Sequence, residues 1–163
     1  MFPLLVILSG LVGTALMTGV MWFIHRSGWA NADMIRAIGS LVTRRYEGSL
    51  LPGMLLHLAA GCIFAIPYLL IIRSVGADRL FEMVAISLAV GVFHGGAMIF
   101  VLLALVADTH PVERFRKAGA EVAWAHIVGH AAYGIGVGLM AGLLGPSMGG
   151  FAAAAAVAVR AIA

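Results

Sequence analysis

Four long stretches of this chain carry no charged residue, and that segregation limits the fold more than any motif does. They cover residues 3–24, 53–72, 83–107 and 122–145, and all ten Lys/Arg and all seven Asp/Glu side chains fall outside them. A helix rises 1.5 Å per residue, so ~20 residues cross the ~30 Å hydrocarbon core of a bilayer. Each stretch reaches that length. A β-barrel would need ~10-residue segments of alternating polarity, and the sequence has no such alternation. Lipid offers no partner to bare backbone groups. The expected fold class is therefore an all-α integral membrane protein, a four-transmembrane-helix bundle forming a single domain over residues 1–163.

Composition points the same way. Hydrophobic residues make up 63% of the chain, charged residues 10%, and the mean hydropathy is +1.07. A soluble domain is roughly 45–50% apolar and about 25% charged, and a small one could not hide this much apolar surface. The first stretch has no basic segment ahead of it and is too long for a signal-peptide core, so it is expected to stay as a helix. Cys62 is the single cysteine and falls in the second stretch. A disulfide framework within one chain is excluded.

The net charge of +3 reads as topology, and no nucleic-acid partner is expected. Arg26, Arg36, Arg44 and Arg45 precede the second stretch, and Arg114, Arg116 and Lys117 precede the fourth. The other side has Arg73, Arg79 and Arg160. By the positive-inside rule the two richer loops face the cytoplasm and both termini face outward.

In the first loop, Met34, Ile35, Ile38, Leu41 and Val42 recur at helical spacing after a candidate cap at Asn31. They predict a short interfacial helix, bracketed by Trp29 and Tyr46. Residues 108–113, Asp-Thr-His-Pro-Val-Glu, read as a solvated, capped turn whose Pro111 suits the start of a new short helix. Asp108, Glu113 and Glu121 beside His110 form a weaker metal candidate. Gly76-Ala77-Asp78 reads as a tight turn. Pro146 and Gly149-Gly150 are expected to end the last helix, leaving an apolar tail, 151–163, on the membrane surface or against a partner.

Small residues recur every four positions at Gly134, Gly138 and Gly142, at Ser87, Gly91 and Gly95, and at Gly61 and Ala65. Such stripes let membrane helices approach closely. They allow bundle packing, self-association, docking of other membrane subunits, or contact with a flat ligand. Met17, Met98 and Met140 are available as soft ligands, and Thr14 and Thr18 share a face. Pro67 is expected to kink the second helix and free the carbonyl of Ile63.

The histidines carry the most information. His57, His94, His126 and His130 lie inside apolar stretches, where ionisable side chains are costly and mark function by default. His126 and His130 are four apart and share a face with the glycines that follow. Measured from the cytoplasmic ends, His57 and His126 lie about 6 Å deep, His130 about 12 Å, and His94 about 17–20 Å. His57, His126 and His130 are therefore the candidate metal ligands. His94 joins them as a cofactor ligand only if its helix tilts or ends early. Imidazole suits Cu, Fe or Zn, and it also serves as an axial ligand of haem or a pigment. A neutral imidazole can also simply glue helices together.

No phosphate loop, G-x-S-x-G, H-E-x-x-H, C-x-x-C or pair of intramembrane carboxylates occurs, so no catalytic residue stands out. Gly13-Thr14-Ala15-Leu16-Met17-Thr18, and Trp124-Ala125-His126-Ile127-Val128-Gly129-His130 with Tyr133-Gly134, resemble the small bacterial inner-membrane proteins of the YagU-like kind. The resemblance covers the first and fourth helices. It implies a small four-helix protein of the bacterial inner membrane and brings no established activity. Three functions stay open: a cofactor- or metal-holding subunit of a larger membrane complex, a purely structural accessory subunit, and a small proton-coupled carrier or channel.

Overall fold

The computed structural model describes residues 2–102, 108–117 and 119–162, with side chains up to Gly145. Among these, the chain is helical and contains no strand. Its elements are α1 (Phe2–Arg26), α2 (Met34–Thr43), α3 (Leu50–Ser74), α4 (Leu80–Val101), a 3₁₀ turn (Glu113–Phe115) and α5 (Ala120–Ile162). Four helices are long and apolar enough to cross a membrane: α1, α3, α4 and the Ala120–Gly145 part of α5.

Each long helix begins one to three residues before its apolar stretch, because a helix end tolerates the polar residues that a bilayer core does not. At the start of α4, the Glu82 carboxylate accepts the Arg79 backbone N–H at 3.4 Å. That satisfies one of the donors a helix N-terminus leaves open. Residues 103–107, the end of the third expected span, lie outside the described residues. The break expected at Pro146 and Gly149-Gly150 does not occur: the α5 backbone stays helical to Ile162. A proline removes one helical hydrogen bond but need not end a long apolar helix, and α3 likewise runs through Pro67. Side chains of the 151–163 tail lie outside the described residues.

Glycines set the packing order. On the α1–α5 seam, a Cβ on Gly136 would sit 2.7 Å from the Gly13 Cα. On the α4–α5 seam, Gly138 faces the Met83 carbonyl and the Val84 backbone at 2.7 Å, and Gly134 faces the Ser87 carbonyl. Gly61 receives Thr14 of α1, and Gly39 of α2 crosses the α3 backbone at Ser49 and Gly53. The small-residue stripes are therefore filled by contacts within the chain. In both hairpins, the glycine four residues after a histidine (Gly61, Gly134) seats a hydroxyl residue of the preceding long helix (Thr14, Ser87).

The result is an open arc, α3–α1–α5–α4, with α2 against α3 and only slight contact between α3 and α4. The outside of the arc is apolar. Phe81, Phe93 and Phe100 on α4 are 81%, 79% and 74% exposed.

Gly76 makes the α3–α4 turn in the left-handed region (φ +68°), as glycine allows at low cost. The expected short helix exists as α2, but Asp33, not Asn31, occupies the capping position before it, without a side-chain capping bond. Asn31 instead donates its amide N–H to the Arg114 carbonyl at 2.9 Å. Tyr46 sits between the Arg36 and Arg114 guanidinium groups, 4.8 and 4.6 Å from its ring centre. Its hydroxyl donates to Asp33 at 2.9 Å. The two arginine-rich loops thus meet at one end of the bundle.

Segment 108–117 is not a solvated turn throughout. His110 is only 1% exposed. Its Nε2 reaches the Ala37 carbonyl of α2 at 3.1 Å, its Nδ1 accepts the Val112 N–H at 3.1 Å, and Arg116 Nε donates to its carbonyl at 2.7 Å. Pro111 precedes the 3₁₀ turn by two residues instead of starting an α-helix. The acids Asp108, Glu113 and Glu121 stay exposed.

Candidate functional site: a histidine-lined cavity

The gap between α3 and α4 opens into a cavity of ≈ 240 Å³ at the α2 end of the bundle. All four candidate histidines line it: His57 from α3, His94 from α4, and His126 and His130 from α5. Thr14 and Met17 of α1 form the back wall, and α2 with His110, Phe115 and Lys117 forms the roof. His25, at the end of α1, lies outside this cavity.

His94 belongs to the cluster without qualification. Its ring centre is 4.6 Å from that of His130. The larger depth expected for it came from counting back from residue 107. Residues 103–107 lie outside the described residues, and the ring contact with His130 places His94 in the cluster directly. The close approach depends on α4 lacking side chains along the seam. Gly91 and Gly95 let α4 lie on the α5 backbone at His130 and Ile127.

The α5 histidines are chemically preset. His126 Nδ1 lies 2.9 Å from the Val122 carbonyl, and His130 Nδ1 lies 2.8 Å from the His126 carbonyl. A carbonyl oxygen only accepts, so each Nδ1 must carry the proton and donate it. In a neutral ring this leaves Nε2 as a bare lone pair. A histidine that ligates a metal is characteristically held this way, with its other nitrogen donating to a backbone carbonyl. The His126 and His130 rings stack at 6.2 Å, 22° from parallel.

His57 and His94 add a second kind of signal. The Nε2 of each is buried with no hydrogen-bond partner, as is the Thr14 hydroxyl. His57 is 7% exposed and Thr14 1%. A buried polar atom left unsatisfied costs about 1–3 kcal/mol. All three residues line the cavity, and the Thr14 hydroxyl is also packed against Gly61. The hydroxyl expected to bond its own helix or a histidine does neither.

Two tyrosines that sequence reasoning passed over support the cluster. The Tyr68 hydroxyl pairs with His94 Nδ1 at 3.1 Å, tying α3 to α4. The Tyr133 hydroxyl donates to the Gly61 carbonyl at 2.6 Å, tying α5 to α3. Their rings meet edge to face at 5.3 Å. Tyr133 had a signal in sequence, since it lies three residues after His130 on the same helix face. Tyr68 had none.

Chemically, the cavity offers lone pairs on nitrogen within an apolar wall. Among the described residues, no group of three or more His, Cys, Asp or Glu is arranged to hold a metal ion. The expected His57/His126/His130 triad and the Asp108/His110/Glu113/Glu121 grouping are therefore not assembled as such sites. For scale, an apolar cavity of ~150 Å³ holds one benzene. The present volume takes an ion or a single substituted ring, and a haem or pigment macrocycle would extend beyond it. The chain matches no protein-family model, no curated protein and no solved structure.

Proposed function

We propose that the protein is a small membrane-embedded binding subunit whose histidine cavity holds an electron-pair acceptor, either a transition-metal ion or the metal centre of a cofactor. One observation carries this reading. Imidazoles from three helices line one cavity, and on His126 and His130 the hydrogen bond from Nδ1 leaves Nε2 as a lone pair. Helix glue does not account for it, because glue would pair those nitrogens across the helices.

The same reading places the arginine-rich α2 end at the cytoplasmic face of a bacterial inner membrane, with both termini outside. The cavity then lies in the cytoplasmic half of the bilayer, and its α3–α4 side faces lipid. A larger membrane complex is the natural setting for a bundle this small. Ala15 and Gly19 present an outward small-residue pair on α1 for contact with another subunit.

The test is purification from native membranes in mild detergent, followed by elemental analysis and an absorbance spectrum. The reading expects a bound metal or chromophore in near-stoichiometric amount, lost in a His94→Ala/His130→Ala variant that keeps its helicity. A colourless, metal-free preparation sinks it.

A further inference from the structure

The cavity holds sulfur as well as nitrogen. Met17, Met34 and Met98 line it together with the four histidines. Met98 follows His94 by four residues and so shares its helix face. Met17 is 3% exposed. Its methyl group lies 3.5 Å from where a Cβ on Gly129 would sit, and the Met21 sulfur lies 2.9 Å from the same point. Because Gly129 has no side chain, the α1 thioethers reach the α5 surface at Gly129, next in sequence to His130.

Those donors narrow the class of ion. Imidazole suits zinc, copper, iron and nickel, and thioether sulfur selects copper in its monovalent state. Zinc in a structural site wants four tetrahedral ligands drawn from Cys, His, Asp and Glu, and no group of even three is assembled among the described residues. Charge favours the same answer. The cost of taking an ion from water into an apolar interior rises with the square of its charge, so a divalent ion costs about four times as much as a monovalent one. No carboxylate sits among the four imidazoles to offset it, and Asp33 at the α2 roof accepts the Tyr46 hydroxyl.

Resting on the reading of this cavity as a ligand site, the geometry points to a Cu(I) site built from His94 and His130 with the thioethers of Met98 and Met17. At metal–nitrogen bonds of ~2 Å, two imidazoles sharing one ion have ring centres ~4.5–6.3 Å apart, depending on the angle at the metal. The His94–His130 separation of 4.6 Å falls in that range. The low coordination number and adaptable geometry of Cu(I) suit a site that draws donors from three helices, α1, α4 and α5, and leaves the α3 side open.

The test uses the full chain in detergent under anaerobic conditions. Cu(I) is supplied from an excess of bicinchoninate, with Ag(I) as a redox-inert probe and Zn(II) as the divalent control. The expected result is about one Cu(I) or Ag(I) retained per chain, with sulfur as well as nitrogen scattering at the copper edge. Met98→Leu keeps the side-chain shape and should weaken Cu(I) at least ~10-fold, while the histidine pair His94→Ala/His130→Ala abolishes retention. Failure to hold Cu(I) against the chelator overturns the proposal. So does wild-type affinity in a Met17→Leu/Met98→Leu variant whose circular dichroism is unchanged. A protein that carries haem or Zn(II) and refuses Cu(I) keeps its binding function and loses the copper assignment. One that is metal-free from native membranes and refuses all three probes loses both.

Discussion

Replacing Gly91 with alanine tests whether the α4–α5 seam positions the histidines. The added Cβ would meet the His130 carbonyl oxygen, the His130 carbonyl carbon at 3.1 Å and the Ala131 Cα at 3.2 Å. All three atoms are backbone, so nothing can rotate away, and α4 must lift off α5 toward the ordinary ~3.5–4.0 Å contact distance. Overpacking of this kind costs about 1–3 kcal/mol, offset by the ~0.8–1.0 kcal/mol helical advantage of alanine over glycine. An overlap with a backbone carbonyl oxygen belongs to the upper half of that range, about 2–3 kcal/mol, so the net loss is about 1–2 kcal/mol. Gly96, five residues along the same helix, has nothing within 4 Å of its would-be Cβ, so Gly96→Ala should gain about 0.5–1 kcal/mol. Reversible unfolding in mixed micelles, titrated with a denaturing detergent, reads both. The two substitutions must move stability in opposite directions, and Gly91→Ala must also weaken ligand retention by drawing His94 from His130. Equal stability of the two variants refutes the reasoning.

Three further outcomes follow from other contacts. Tyr133→Phe removes the buried bond to the Gly61 carbonyl and should cost about 0.6–1.7 kcal/mol in the same unfolding assay, with no change in helicity. His110→Ala removes a buried bond to the Ala37 carbonyl and the acceptor of the Val112 N–H, and should cost about 1–3 kcal/mol, with faster amide exchange confined to 34–43 and 108–117. In a Cys62→Ser background, a membrane-impermeant thiol reagent applied to intact cells should label Asp78→Cys and spare Glu47→Cys. The reverse pattern would invert the orientation.

The four long apolar helices were legible because charge exclusion over twenty residues is a long-range signal that does not depend on side-chain contacts. The pairing of His126 with His130 was legible for a similar reason, since helical periodicity alone puts them on one face. Whether His94 joins the other histidines was not legible, because an apolar run does not say how closely its helix packs; Gly91 and Gly95 decide it. His110 was misread because its partner, the Ala37 carbonyl, is 73 residues away. A polar local sequence says nothing about a distant acceptor. Pro146 carried a real signal against helix and was overridden within a long apolar segment. The glycine stripes were visible, but which surfaces they met was not. Only the structure shows Gly91 and Gly95 against α5 and Gly134 and Gly138 against α4.

The central claim is that His126 and His130 present bare Nε2 atoms to a shared cavity, and ring-nitrogen NMR addresses it directly. With ¹⁵N-histidine protein in bilayers, and single-site variants for assignment, the ligand-free protein should show both residues as the Nδ1–H tautomer. Addition of the bound species should then shift the Nε2 resonances of His94 and His130 together. Nε2–H tautomers at both α5 histidines, with no Nε2 response to any added metal or haem, would contradict the account.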